Sequence, residues 1–222
     1  RPYAVLADAE GNIYVGADST GASLLVQRAG TSGLVKVGEE WVGKAMSADW
    51  ISALALDVSG QIYAATNHWV NYGASNPSES YGGLSRWAVS SLHRRDTPSG
   101  DWVTKTYPPT GSGWTAPVAM AGDGVGNLYA VWGNYGTGVL YRYDAAADAW
   151  TQRANPSASL YLKHLAWANG QLYALGHNIS GVWSMARYDQ AANNWTLRAA
   201  PPLNTSAAAA GLSWSWDGVD AL

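Results

Sequence analysis

The chain has no cysteine, and that one absence removes disulfides, thiolate metal sites and a cysteine nucleophile from its chemistry. Phenylalanine is missing too, while 13 Trp and 13 Tyr are present. The aromatic area to be buried is therefore carried by rings with a polar handle, which suit half-buried sheet positions and binding surfaces. Charge is scarce, at 13% of residues, and nearly balanced, with 13 Lys+Arg against 16 Asp+Glu. No basic block exists to track phosphates, so nucleic acid is not an expected partner. No run of 18 apolar residues occurs, and no membrane span is expected. With 47% apolar residues and a net charge of only −3, the composition is that of a folded globular chain. It opens on Arg1-Pro2-Tyr3, without Met or a charged-then-apolar leader. That reads as a processed N-terminus or a piece of something longer, and the expected setting is extracellular, cell-surface or periplasmic.

What is present is a repeat. The pattern G-x-[IL]-Y occurs four times, at Gly11–Tyr14, Gly60–Tyr63, Gly126–Tyr129 and Gly170–Tyr173, with intervals of 49, 66 and 44 residues. A short apolar run precedes each, such as Ile51-Ser52-Ala53-Leu54-Ala55-Leu56. Between run and motif sit turn residues, as in Asp8-Ala9-Glu10-Gly11 and Asn169-Gly170. Asp, Asn and Gly supply the Asx hydrogen bonds and positive φ of tight hairpins, so these aspartates are assigned to turns and not to catalysis.

A second half-unit follows each hairpin. Leu140-Tyr141-Arg142-Tyr143-Asp144 leads to Trp150, and Met185-Ala186-Arg187-Tyr188-Asp189 leads to Trp195. Tyr and Trp are seven residues apart in both copies, and the copies are 45 apart. Leu84-Ser85-Arg86-Trp87 with Trp102-Val103-Thr104-Lys105 reads as a stretched copy, and Leu24–Arg28 with Leu34–Val37 as a degenerate one. Each unit reads as four short strands, with no helical periodicity. The expected fold is all-β, a propeller of four-stranded antiparallel blades. The blades are expected at about 1–50, 51–117, 118–162 and 163–210, followed by a stub at 211–222 that starts a fifth. Four blades and a stub suggest part of a larger ring.

The last two units resemble kelch repeats, in which an apolar strand, a glycine turn, a Tyr and a Trp recur in order. Gly133, Tyr143 and Trp150 fill those places in the third unit, and Gly176, Tyr188 and Trp195 in the fourth. The kelch double glycine is missing from these two units, where Trp132-Gly133-Asn134 and Leu175-Gly176-His177 carry one each, and the first two units lack the Tyr. The Gly-His and Trp-Asp signatures of WD repeats do not recur from unit to unit, so a WD-repeat reading is not expected, and the sialidase Asp box is absent. Copper radical oxidases on kelch-like propellers need a Cys cross-linked to Tyr, which this chain cannot supply.

In an up-down meander, the link between strands two and three emerges beside the link to the next blade. That face collects the candidate ligand- or partner-binding residues His68, Trp69, Asn71, Tyr72 and Tyr81 from link 66–83. Tyr107 and Trp114 from link 106–117 join them, with Tyr135 and His177. Long loops bearing exposed aromatics are more often functional than ordinary connectors.

Chemistry is sparse. His68, His93, His164 and His177 form no metal-ligand pair by spacing, Glu39-Glu40 sits in a link, and no glycine-rich loop opens a helix. Neither catalytic residues, a metal nor a cofactor is assigned. Sequons at Asn178, Asn194 and Asn204 are short enough to arise by chance. The expected role is a noncatalytic module that binds a protein partner or joins a larger assembly through its aromatic loop face. The alternatives are a lectin-like carbohydrate-binding propeller and a propeller enzyme of lyase or glycoside hydrolase type.

Overall fold

The computed structural model describes residues 2–18, 22–37, 50–57, 59–72, 85–95, 102–106, 108, 117–123, 125–132, 138–156, 160–178 and 180–198. The expected stub at 211–222 lies outside them. Among the described residues there is no helix, only sixteen strands in four antiparallel sheets. Sheet one holds β1 (Pro2–Ala7), β2 (Ile13–Asp18), β3 (Ala22–Gln27) and β4 (Leu34–Val37). Sheet two holds β5 (Trp50–Leu56), β6 (Ile62–Tyr72), β7 (Ser85–Arg95) and β8 (Trp102–Lys105). In sheet three are β9 (Pro117–Gly122), β10 (Asn127–Trp132), β11 (Val139–Asp144) and β12 (Ala149–Gln152). Sheet four comprises β13 (Tyr161–Ala168), β14 (Gln171–His177), β15 (Trp183–Asp189) and β16 (Asn194–Arg198). Every sheet is a simple meander, and the four are arranged as the blades of a β-propeller.

The first hairpin of each blade is closed by local chemistry. Asp8 Oδ1 accepts from the Glu10 and Asn12 amides, Asp57 Oδ1 from Ser59 and Gln61, and Asp123 Oδ1 from Val125 and Asn127. The glycine that follows takes φ of 83°, 76° and 94° in the three turns, a conformation that favours glycine. Blade four shortens the device to Asn169-Gly170, both at positive φ, a two-residue turn whose twist matches its strands.

Register makes the four motif tyrosines equivalent. Tyr14 lies opposite Leu6 and Val26, and Tyr63 opposite Ala55 and Arg94. Tyr129 is opposite Ala121 and Arg142, and Tyr173 opposite Ala166 and Arg187. Tyr14, Tyr63 and Tyr129 are buried against the next sheet, and Tyr173 is half-buried. The preceding Ile or Leu faces the other way: Ile62, Leu128 and Leu172 are buried against the previous sheet. One motif thus supplies both faces of a blade, because neighbours on a strand point to opposite sides. Backbones approach closely here. A Cβ at Gly122 would overlap the Leu56 carbonyl oxygen of the previous blade.

A second repeated device ties the outer strands together. Trp150 Nε1 donates to the Thr106 carbonyl at 2.7 Å, and Asp148 Oδ1 accepts from the Thr106 amide at 3.1 Å. Tyr143 donates its hydroxyl to the same Asp148 Oδ1 at 2.6 Å. One blade later, Trp195 Nε1 donates to the Ala154 carbonyl at 2.7 Å, and Asn193 Oδ1 accepts from the Ala154 amide at 2.9 Å. Tyr188 donates to Asn193 Oδ1 at 2.5 Å. Asp148 and Asn193 sit at φ 48° and 49°, which these short polar residues tolerate. The rings match as well: Tyr143–Trp150 and Tyr188–Trp195 centroids are 5.0 and 5.1 Å apart. Edge contacts Tyr63–Tyr143 and Tyr129–Tyr188, at 6.1 and 5.9 Å, join adjacent blades.

Two features of the outer strands stand out. Trp150 and Trp195 are half-buried and not enclosed, because their indole N–H groups serve the clasp at the blade rim. In blade two, Arg95 and not Trp87 lies opposite Trp102, with its guanidinium carbon 5.7 Å from the ring centroid. The stretched copy is therefore Leu92-His93-Arg94-Arg95, in which a cation over an aromatic face replaces the Tyr–Trp pair.

Two measurements check these assignments. In urea unfolding, Trp195→Ala is expected to cost about 3 kcal/mol, as large aromatic truncations do. Asn193→Gly keeps the backbone conformation but leaves the Tyr188 hydroxyl and Ala154 amide without an acceptor, and is expected to cost about 1–2 kcal/mol. Alkali tests the inter-blade tyrosines. Burial holds Tyr129 up at about 12 and raises Tyr143, whose bond to Asp148 adds to the effect; burial also raises Tyr188. A folded-state value above the unfolded one, about 10, means full stability below that pH and loss above it. The melting temperature is expected to fall from about pH 10 upward, tracking phenolate absorbance.

Candidate functional site

Blade two departs from the other three. Its middle strands β6 and β7 are 11 residues long, whereas the middle strands of the others have 6 or 7. Strand β5 pairs with β6 only as far as Trp50↔Asn67, and β8 pairs with β7 only over Leu92–Arg95. Among the described residues, β6 and β7 beyond those limits pair only with each other, from His68↔Val89 to Tyr72↔Ser85. A two-stranded arm therefore projects past the sheet, roughly 17 Å for five residues at a strand's rise. It leaves from the end of the blade where the strand-two-to-three links and the inter-blade links emerge.

The arm carries four of the nine expected site residues. His68, Trp69, Asn71 and Tyr72 lie on strand β6, not in a connecting loop, and nothing of their side chains is described. Register sets Trp69 opposite Ala88, Val70 opposite Trp87 and Asn71 opposite Arg86. Tyr81, Tyr107, Trp114 and Tyr135 lie outside the described residues.

His177 is the ninth, and it ends β14 on a sheet face. Its Nδ1 is 2.9 Å from the Asn178 carbonyl, so that nitrogen carries the proton. Its ring meets Trp183 at 5.2 Å and Tyr161 at 5.6 Å, both edge-on. Trp183 in turn lies nearly parallel to His164, at 6.5 Å and 24°. Sequence reasoning missed Tyr161 and Trp183, although both fall directly opposite His177 in the register. The Asx turn that brings Trp183 back was the available signal: Asn178 Oδ1 accepts from the Ser180 and Val182 amides.

Burial and hydrogen bonding set the shifts of the titratable groups at the described residues. Burial lowers the His93 and His164 imidazoles, with Lys163 adding to the effect at His164. Burial pushes the Asp8 carboxyl up, but hydrogen bonds from Asn12, Tyr14 and Glu10 outweigh it and hold the group low. The Tyr143 hydroxyl holds Asp148 low in the same way. These shifts lead away from the neutral range in which a general acid or base works. Among the described residues, no group of three His, Cys, Asp or Glu could hold a metal ion.

No protein-family model and no curated protein matches this sequence. Solved structures do resemble it. The RRP9 WD40 repeats superpose with a TM-score of 0.56 at 9% identity, covering 89% of this chain and 51% of that one. U3-55K gives 0.55 at 10% identity, with coverage of 89% and 51%. A protein of unknown function from Dyadobacter fermentans gives 0.55 at 13%, covering 87% of this chain and 66% of its own. The chain thus spans about half the length of the RRP9 and U3-55K structures. At such identities the likeness is one of fold: a β-propeller with WD40 neighbours, in which the kelch resemblance of the last two units finds no separate support.

Proposed function

We propose that this chain is a protein-binding module that engages its partner through the end of the blades bearing the β6–β7 arm. The projecting arm is the observation that carries the reading. Among the described residues, β6 beyond Asn67 and β7 before Leu92 each have one edge with no neighbouring strand. Open edges present backbone donors and acceptors in strand register, and an extended peptide can add to them. Trp69, Tyr72 and Trp87 on the arm are the residue types that anchor protein interfaces. The WD40 likeness supports an interaction or assembly role at the level of fold alone.

Replacing residues 68–89 with Asn-Gly closes β6 and β7 on the Asn67↔Ser90 pair with a two-residue turn. The melting temperature is expected to stay close to that of the parent, because the deletion spares every residue of β6 and β7 that pairs with β5 or β8. Peptide-display libraries panned on the parent chain are expected to enrich extended, apolar-patterned peptides that do not bind the armless variant. Peptides that bind both equally would refute the reading. A glycan-array signal abolished by Trp69→Ala, with no peptide enriched, would instead favour the carbohydrate alternative.

A further inference from the structure

The two clasped junctions are alike in geometry and unlike in charge. Between blades two and three, Arg94 lies opposite Tyr63 and Val103, and Lys105 opposite Leu92. Between blades three and four, Arg142 takes the same place opposite Tyr129 and Thr151. Arg153 follows in the place of Lys105, its amide donating to the Leu140 carbonyl at 2.8 Å. Alternation puts Arg142, Thr151 and Arg153 on the face of sheet three that meets blade four. Diagonal neighbours such as Arg142 and Arg153 are about 7–8 Å apart, within reach of long side chains. At the first junction the clasp acceptor is a carboxylate: the Tyr143 hydroxyl bond holds Asp148 low, and Lys105 adds to the effect. At the second it is the neutral Asn193, so two cations face a clasp that brings no charge.

Among the described residues, no other group makes up the difference. Burial raises the Tyr129 and Tyr188 phenols, and Arg142 and Arg153 both act against it, so both guanidiniums sit by the same pair of rings. The carboxylates that bear on those phenols, Asp123 and Asp189, are engaged in their own turns. Asp123 accepts from the Val125 and Asn127 amides and from Asn127 Nδ2, and Asp189 from the Ala192 amide. Arg142 Nε and Arg153 Nε are enclosed and have no hydrogen-bond partner among the described residues. Asn193 spends its Oδ1 on both clasp bonds, which leaves its Nδ2 donors for another acceptor. Enclosed charged donors are costly unless an acceptor is supplied.

We infer that the rim of the junction between blades three and four binds a small oxyanion of the phosphate or sulfate kind. Arg142 and Arg153 hold it from two sides, with the Thr151 hydroxyl and Asn193 Nδ2 as further donors. Guanidinium forks match the spacing of oxygens on such anions, and a dianion balances both cations at once. The site lies on blades three and four and does not depend on what the arm of blade two binds.

Calorimetric titration of the full chain with inorganic phosphate and with sulfate, against chloride at equal ionic strength, tests the site. A saturable event is expected with both oxyanions and none with chloride, and either oxyanion raises the melting temperature by mass action. Asn193→Asp writes the clasp of the first junction into the second. Asp148 already holds that conformation, at φ 48° against 49° for Asn193, so the clasp bonds remain and the site gains a carboxylate. The variant is expected to melt no lower than the parent without oxyanion, and to bind phosphate about tenfold more weakly or worse. Arg153→Gln, at a half-buried position, is expected to weaken binding to a similar degree, and it suffices if Asn193→Asp does not fold. No saturable event with either oxyanion, or binding unchanged in either folded variant, overturns the inference.

Discussion

A four-stranded sheet with apolar residues on both sides cannot bury either side by itself, and each level of this molecule answers to that fact. The solution is written into two adjacent residues of each unit. In the second strand, the Ile or Leu of G-x-[IL]-Y turns toward the blade before, and the Tyr toward the blade after. Stacking is therefore sequential: among the described residues, the main contacts between blades join neighbours in the chain, as in other repeat architectures. Small residues at the crossing, Gly16 against Ile51 and Gly122 against Leu56, let the sheets come close enough for large rings to interlock.

The polar requirements of that packing are met at the rim. Buried tyrosines need acceptors for their hydroxyls, and the left-handed turn residues Asp148 and Asn193 provide them. The same two oxygens receive a backbone amide from the preceding blade, so one atom satisfies donors from two sheets. Blade two has no Tyr at this place and sets Arg95 over Trp102 instead, and it is also the blade whose middle strands run on into the arm.

Legibility followed the range of the interactions. The hairpin turns were readable because an Asx turn is complete within five residues, from Asp57 to Gln61 for example. The blade order was readable because the motif recurs. The arm was not, since His68–Tyr72 has no local mark that separates a strand continuing past its sheet from a polar, aromatic loop. Trp87 was mistaken for the partner of Trp102 because Arg95 breaks the Tyr–Trp pattern, and only the register resolves it. The Tyr161–His177–Trp183 cluster escaped notice for a related reason: its members come from three strands and meet only once the sheet has formed. Of the nine candidate site residues, the sequence brought five to blade regions that are described, and their common face rests on topology and not on local pattern.

The clasps have a direction, and that direction bears on how the chain is made. Trp150 and Asp148 reach back to Thr106, and Trp195 and Asn193 reach back to Ala154. In both cases the later blade holds the backbone just downstream of the earlier blade's outermost strand. During synthesis blades two and three leave the ribosome with that exit segment untethered, and it is secured only when the next blade has been made. Folding is then vectorial at these two junctions: completion of the blade lags by about one repeat behind its own translation.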